Sequence, residues 1–148
     1  MRKPVYPYRK CGEASYEFVS IGNKNITKRV EFIKTEIKNI VALGFGDLLE
    51  DGTISDQANS NNGDIGIVMS TIIKITEEYT LSHPNIKIFF EGSTKERTRL
   101  YGRILKNYYH EFSNYFIITG FKTDSLEEET FNPNEPYIYN LYFIQRIT

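Results

Sequence analysis

Ile86-Lys87-Ile88-Phe89-Phe90-Glu91-Gly92-Ser93-Thr94-Lys95-Glu96-Arg97-Thr98-Arg99-Leu100-Tyr101 decides how the chain is read, because its hydrophobic period changes partway along. The apolar run 86–90 predicts a strand, and Gly92 a tight or left-handed turn. Ser93 with Glu96 three residues on forms a capping box, after which Leu100, Tyr101, Ile104, Leu105, Tyr108 and Phe112 recur at helical spacing. A helix start leaves backbone N–H groups without internal partners, facing incoming negative charge. Arg97 and Arg99 add guanidinium donors matched to phosphate or carboxylate. Ser93, Thr94, Arg97 and Arg99 are therefore the candidate anion-binding residues, with Gly92 and Tyr101 in structural roles. Lys95, Arg99, Arg103 and Lys106 follow i, i+4, i+8, i+11 spacing and place a basic stripe opposite the apolar face. The competing account is a well-capped amphipathic helix whose arginines pair with Glu91, Glu96, Asp47 or Asp64.

Upstream, residues 1–13, with Pro4, Pro7 and Gly12, read as an extended arm. Tyr16 and Phe18 alternate with Glu17 and Val19, the turn residues 22–25 follow, and Val30 and Phe32 alternate with Arg29 and Glu31. That pattern predicts a hairpin. The run 40–45 predicts a third strand ending at Gly44-Phe45-Gly46-Asp47, and 50–62 a polar loop. A helix then opens near Asn61-Asn62-Gly63-Asp64, where Asn61 and Asp64 resemble a capping pair. Ile65, Val68, Ile72, Ile75 and Tyr79 form its stripe, and Pro84 ends it by about 83. Ile67, Met69 and Ile73 lie beyond that stripe, which allows a sheet edge or a second subunit against them.

Downstream, 115–122 and 137–146 predict strands, with an acidic loop over 124–136 between them. The expected fold is α+β: a largely antiparallel sheet of about five or six strands with two helices packed on one face, in the order β-β-β-α-β-α-β-β. Residues 14–148 are expected to form a single domain behind the arm.

The composition sets outer bounds. With 148 residues, eleven Tyr, ten Phe and 40% hydrophobic residues the chain can bury a real core. A net charge of −1 argues against a dedicated electrostatic binder of DNA or of anionic membranes. The charge is unevenly spread: residues 1–38 hold nine Lys/Arg against four acids, and acids gather from Asp124 to Glu129. Cys11 has no partner for an internal disulfide or a zinc site. No stretch approaches the length of a membrane span and no apolar leader region follows the first charges, so a soluble, cytoplasmic protein with no membrane partner is expected.

Other constellations carry weaker chemistry. Asp47, Asp56 and Asp64 lie on or beside the loops bearing Gly46 and Gly63. Turn and cap duties are the simple account of these residues, and Asp47 and Asp64 as Mg²⁺ ligands the functional one. His83 and His110 sit near helix ends, where a cation favours the dipole. Tyr101, Tyr108, Tyr109, Tyr115, Tyr137, Tyr139 and Tyr142 invite a base-stacking account beside the basic stripe, against a simpler one in which alternate members are core.

Phe45-Gly46-Asp47, Asn61-Asn62-Gly63-Asp64 and Gly92-Ser93-Thr94 with Arg97-Thr98-Arg99-Leu100-Tyr101, preceded by Tyr16-Glu17-Phe18, resemble a family of small bacterial proteins known only as a domain of unknown function. The resemblance runs from about Tyr16 to the C-terminus and implies a single α+β domain with no established activity. A weaker likeness, to nucleotidyltransferases through Gly92-Ser93, lacks the acidic pair expected on the next strand, 115–122.

Three functions follow as expectations. The first is a binder of a phosphate-bearing partner, nucleotide or nucleic acid, at the helix start 93–99, in a stress or toxin–antitoxin type module. The second is a Mg²⁺-dependent phosphodiesterase or nuclease, with Asp47 and Asp64 as ligands and Arg97 and Arg99 on the phosphate. The third is an interaction or homo-oligomerisation module joining the basic 1–38 segment to the acidic 124–129 loop.

Overall fold

Alternation along two hairpin strands, β2 (Ser15–Ile21) and β3 (Asn25–Lys34), builds the first half of the fold. In the computed structural model, which describes residues 4–55, 62–92, 94–135 and 139–147, Tyr16 faces Val30 and Phe18 faces Lys28 across this ladder. Residues on that face are buried while Val19 and Ile21 are exposed, as a period of two requires. The arm contributes a strand of its own, β1 (Tyr8–Gly12), antiparallel to β2, and Tyr6 just ahead of it is buried. On the other side of β3 runs β4 (Ile40–Leu48), against which the two-residue β5 (Ile54–Ser55) pairs.

The helix of this half, α1 (Ile65–Ser82), is rich in β-branched residues, which are indifferent helix formers. Burial holds it instead: Val68, Met69, Ile72, Ile73, Ile75 and Tyr79 are all inside. Its buried threonines satisfy their hydroxyls by donating to carbonyls a turn back, Thr76 to Ile72 at 2.8 Å and Thr80 to Thr76 at 2.8 Å. Tyr79 stacks on Phe32 with ring centroids 4.0 Å apart and planes within 3°, and the Tyr6 amide donates to Thr71 Oγ1 at 2.8 Å. Met69 and Ile73, which the sequence left open to a second subunit, are thus covered by the chain itself.

The second half centres on β6 (Lys87–Phe90), β7 (Phe116–Lys122), β8 (Glu127–Thr130) and β9 (Leu141–Arg146), hydrogen-bonded in the order β6-β9-β7-β8. Residues 40–42 of β4 run parallel to β6, and the other pairings are antiparallel. One face of this sheet is packed: Ile88, Phe90, Phe116, Ile118, Tyr142 and Ile144 are buried. The helices α2 (Lys95–Asn107) and α3 (Tyr109–Ser113) contribute Leu105 and Phe112 to the same core. Close approach is bought by glycine at Gly102, where a Cβ would lie 2.3 Å from the Tyr142 hydroxyl. On the opposite face Lys87 lies over the Phe143 ring at 4.4 Å and pairs with Glu128 at 2.5 Å.

By packing, the chain divides into two compact units, residues 1–33 with 43–82 and residues 34–42 with 83–148. The mixed α+β class holds, with different detail. Nine strands are described where about five or six were expected, three helices where two were, and one parallel pairing interrupts the antiparallel pattern. The additional elements share a cause: β1 and β8 are polar strands without apolar alternation, β5 is two residues long, and α3 is one helical turn set off by a break at Tyr108. Pairing with a neighbour, rather than a hydrophobic period, makes them strands.

The hairpin turn gives a sharp test. A Cβ on Gly22 would sit 1.8 Å from the Asn62 carbonyl oxygen, whereas one on Gly12 meets nothing closer than 3.6 Å. Gly22→Ala is expected to cost about 1–3 kcal/mol in urea unfolding, with Gly12→Ala within about 0.5 kcal/mol of the parent.

Candidate functional site

The first turn of α2 is positioned by a glycine and two threonines. Thr94, not Ser93, is the N-cap: its Oγ1 accepts from the Arg97 amide at 3.2 Å and its carbonyl from the Thr98 amide at 3.1 Å. The expected Ser93–Glu96 box gives way because the helix begins one residue later, and Ser93 itself lies outside the described residues. Thr98 Oγ1 accepts from the Gly92 amide at 2.9 Å, tying the end of the strand segment to the helix. Gly92 has no positive φ; it is needed because a Cβ there would lie 2.3 Å from Arg97 Cβ. Tyr101 packs edge-on to Phe90 with centroids 5.9 Å apart, which anchors the helix to its sheet.

With that side bound inward, the basic residues face out. Lys95, Arg99, Arg103 and Lys106 are all exposed, and none forms an ion pair among the described residues. Arg99 is not spent on Glu91, Glu96, Asp47 or Asp64. Arg97 is only partly exposed and has an interaction of its own. The helix carries five cations against Glu96 alone.

Asp47 and Asp64 belong to the other unit and have local work. Asp47 pairs with Lys28, a lysine 5% exposed on the helix-covered face of β3. Asp64 Oδ2 accepts from Tyr6 Oη and from Ser20 Oγ, both at 2.5 Å. Burial pushes the Asp64 carboxyl upward, but these two hydrogen bonds, aided by the Lys28 charge, outweigh it and hold the group below its ordinary value of 3.8. Asn62 completes the cluster. Its Nδ2 donates to Ser20 Oγ at 2.9 Å and the Lys24 carbonyl at 2.8 Å, while its Oδ1 accepts from the Lys24 amide at 2.7 Å. Gly63, at φ +78°, turns the chain from this clamp into α1. Gly46 lets β5 come close, since a Cβ there would lie 2.3 Å from the Ser55 carbonyl oxygen.

Among the described residues no three His, Cys, Asp or Glu side chains gather as a metal would need. Asp56 and Asn61 lie outside the described residues. Tyr6, Ser20 and Asn62 escaped the sequence reading, because nothing in their spacing shows that an arm, a strand and a loop meet. The stacking account of the tyrosines finds little support: Tyr139 and Tyr142 are buried and Tyr101 faces Phe90, while Tyr137 is not described. His83 and His110 are exposed. Cys11 Sγ lies 3.6 Å from Glu17 Oε2, within a pair of arginine bridges from Arg9 at 3.0 Å and Arg29 at 2.7 Å. The basic 1–38 segment is thus partly neutralised at home, and in the acidic run Glu128 pairs with Lys87 and Glu129 with Lys122 at 3.3 Å. No helix among the described residues is long and apolar enough to cross a membrane.

These features define a mixed α+β protein whose second helix carries four exposed cations, Lys95, Arg99, Arg103 and Lys106, without ion pairs among the described residues. The chain belongs to a family of unknown function, DUF6934, which matches residues 2–147. No curated protein and no solved structure matches it.

Two tests follow from the first unit's cluster. Asp64 and Glu17 both have folded-state values below their ordinary 3.8 and 4.5, Glu17 because the Arg9 and Arg29 bonds outweigh its burial. Their contribution is complete above those ordinary values and is lost as pH falls through the lower folded ones. Urea midpoints are expected to hold steady from neutral pH down to about 5 and then fall, more shallowly in Asp64→Asn than in the parent. Replacing Lys28 by Met strips Asp47 of its buried counter-ion and is expected to cost about 3–5 kcal/mol, part of which Lys28→Met/Asp47→Leu recovers.

Proposed function

We propose that the protein binds a phosphate-bearing partner, a nucleotide or a nucleic acid, on the outward face of α2. One observation carries this reading: among the described residues Arg99 stands exposed and without an acidic partner, flanked along the helix by Lys95, Arg103 and Lys106 in the same condition. A guanidinium left in water costs the fold nothing and stabilises it little, so packing gives no reason for four such cations on one face. Elsewhere in the 92–101 motif Gly92, Thr94, Thr98 and Tyr101 have structural duties, Arg97 has an interaction of its own, and Lys95 and Glu96 are exposed at the first turn. The helix's positive N-terminal end, next to Lys95 and Arg99, adds to the attraction for an anion.

Charge-assisted contacts of this kind contribute about 1.5–3 kcal/mol each. Arg99→Ala/Arg103→Ala is accordingly expected to weaken binding of a labelled oligonucleotide by at least about tenfold, while the thermal midpoint moves by no more than about 2 °C. A variant that unfolds would make the arginines structural, and a variant that binds as the parent does would remove them from the site.

A further inference from the structure

We infer that the partner is duplex nucleic acid, met through its phosphates alone along the whole outward face of α2; this rests on the reading of that face as a phosphate site. At 1.5 Å rise per residue, the positions from Lys95 to Lys106 span about 16 Å, and at about 100° per residue the four cations fall within an arc of roughly 80°. A single phosphate or a nucleotide can engage one end of such a row. A duplex, which carries about one charge per 1.7 Å of axis, can engage all of it.

The rest of the face narrows the choice. The exposed positions of α2 are Lys95, Glu96, Arg99, Arg103, Lys106 and Asn107, and they include no aromatic ring. Proteins that hold single strands without sequence preference stack bases on aromatic side chains, and here Tyr101, the one ring within the helix, packs on Phe90. Glu96 lies about 100° around the helix from Lys95 and about 20° beyond the Arg103 edge of the arc, at the first turn, and is the one acid on the helix. The overall charge of −1 argues against a chain built throughout for nucleic acid, and the contact inferred here is confined to one helix; in the acidic run Glu128 is paired with Lys87 and Glu129 with Lys122. Charge is what this surface offers, and a regular array of phosphates is its complement.

The test is fluorescence anisotropy of the full chain with a labelled duplex of about 20 base pairs, repeated with one of its strands and with ATP, from about 50 to 200 mM salt. Four phosphate contacts predict a slope of log K against log salt near −3.6, which is an affinity loss of about 150-fold across that range. Arg99→Gln/Arg103→Gln, with its fold checked by circular dichroism, is expected to halve the slope to about −1.8, a loss of about 12-fold. Binding indifferent to duplex sequence completes the expected result. Equal or tighter binding of the single strand overturns the duplex assignment. ATP bound as tightly as the duplex, with a slope near −1, overturns the extended contact while leaving a phosphate site on α2 intact. Failure to bind all three probes removes both the inference and the reading beneath it.

Discussion

The burial of Lys28 is the constraint around which the first unit is organised. An ammonium on the covered face of a sheet requires a counter-ion, and leaving it without one costs several kcal/mol. Asp47, at the end of β4, supplies that charge, and Asp64 is near enough for its carboxylate to be held ionised in part by the same lysine. Around this centre Ser20, Tyr6 and Asn62 satisfy each other and the turn of the β2–β3 hairpin. Satisfied networks of this kind specify one arrangement, because each member left without a partner would bear the full cost of its desolvation. The carboxylates of the two glycine-bearing loops therefore have a sufficient physical account as counter-charge and acceptor.

The second unit handles charge in two ways. On its sheet, Lys87 is stacked over Phe143 and bonded to Glu128, and Lys122 is matched by Glu129. On α2, Lys95, Arg99, Arg103 and Lys106 have no such matches among the described residues, although the helix is firmly placed by Gly92, Thr94, Thr98, Tyr101 and Gly102. The placed helix leaves little backbone order to be imposed by any contact on this face, whereas the exposed lysine and arginine side chains keep their rotamer freedom.

How much of this was legible depended on whether a signal is local. The hairpin, both long helices and the strand before α2 announce themselves by period, and the inward set Tyr16, Phe18, Val30 and Phe32 follows from it. Strands β1, β5 and β8 do not, because pairing alone defines them and their residues would serve equally in loops. In the candidate site, the outward position of Arg99 follows from the spacing of α2, whereas the cap at Thr94 differs by one residue from the box that Ser93 and Glu96 suggest. Either hydroxyl could cap; the tie between Gly92 and Thr98 is a contact that no spacing rule encodes.

The motif 92–101 thus contains two kinds of residue. Gly92, Thr94, Thr98 and Tyr101 are fixed by what they touch within their unit, and replacing any of them would disturb the helix before it disturbed a ligand. Arg99 is held by nothing comparable, so the fold would tolerate many other side chains there. That is a position on a closely packed helix at which the fold itself makes no demand on the side chain. The same holds for Lys95, Arg103 and Lys106, whose common face is set by the turns of α2 and which form no ion pair among the described residues.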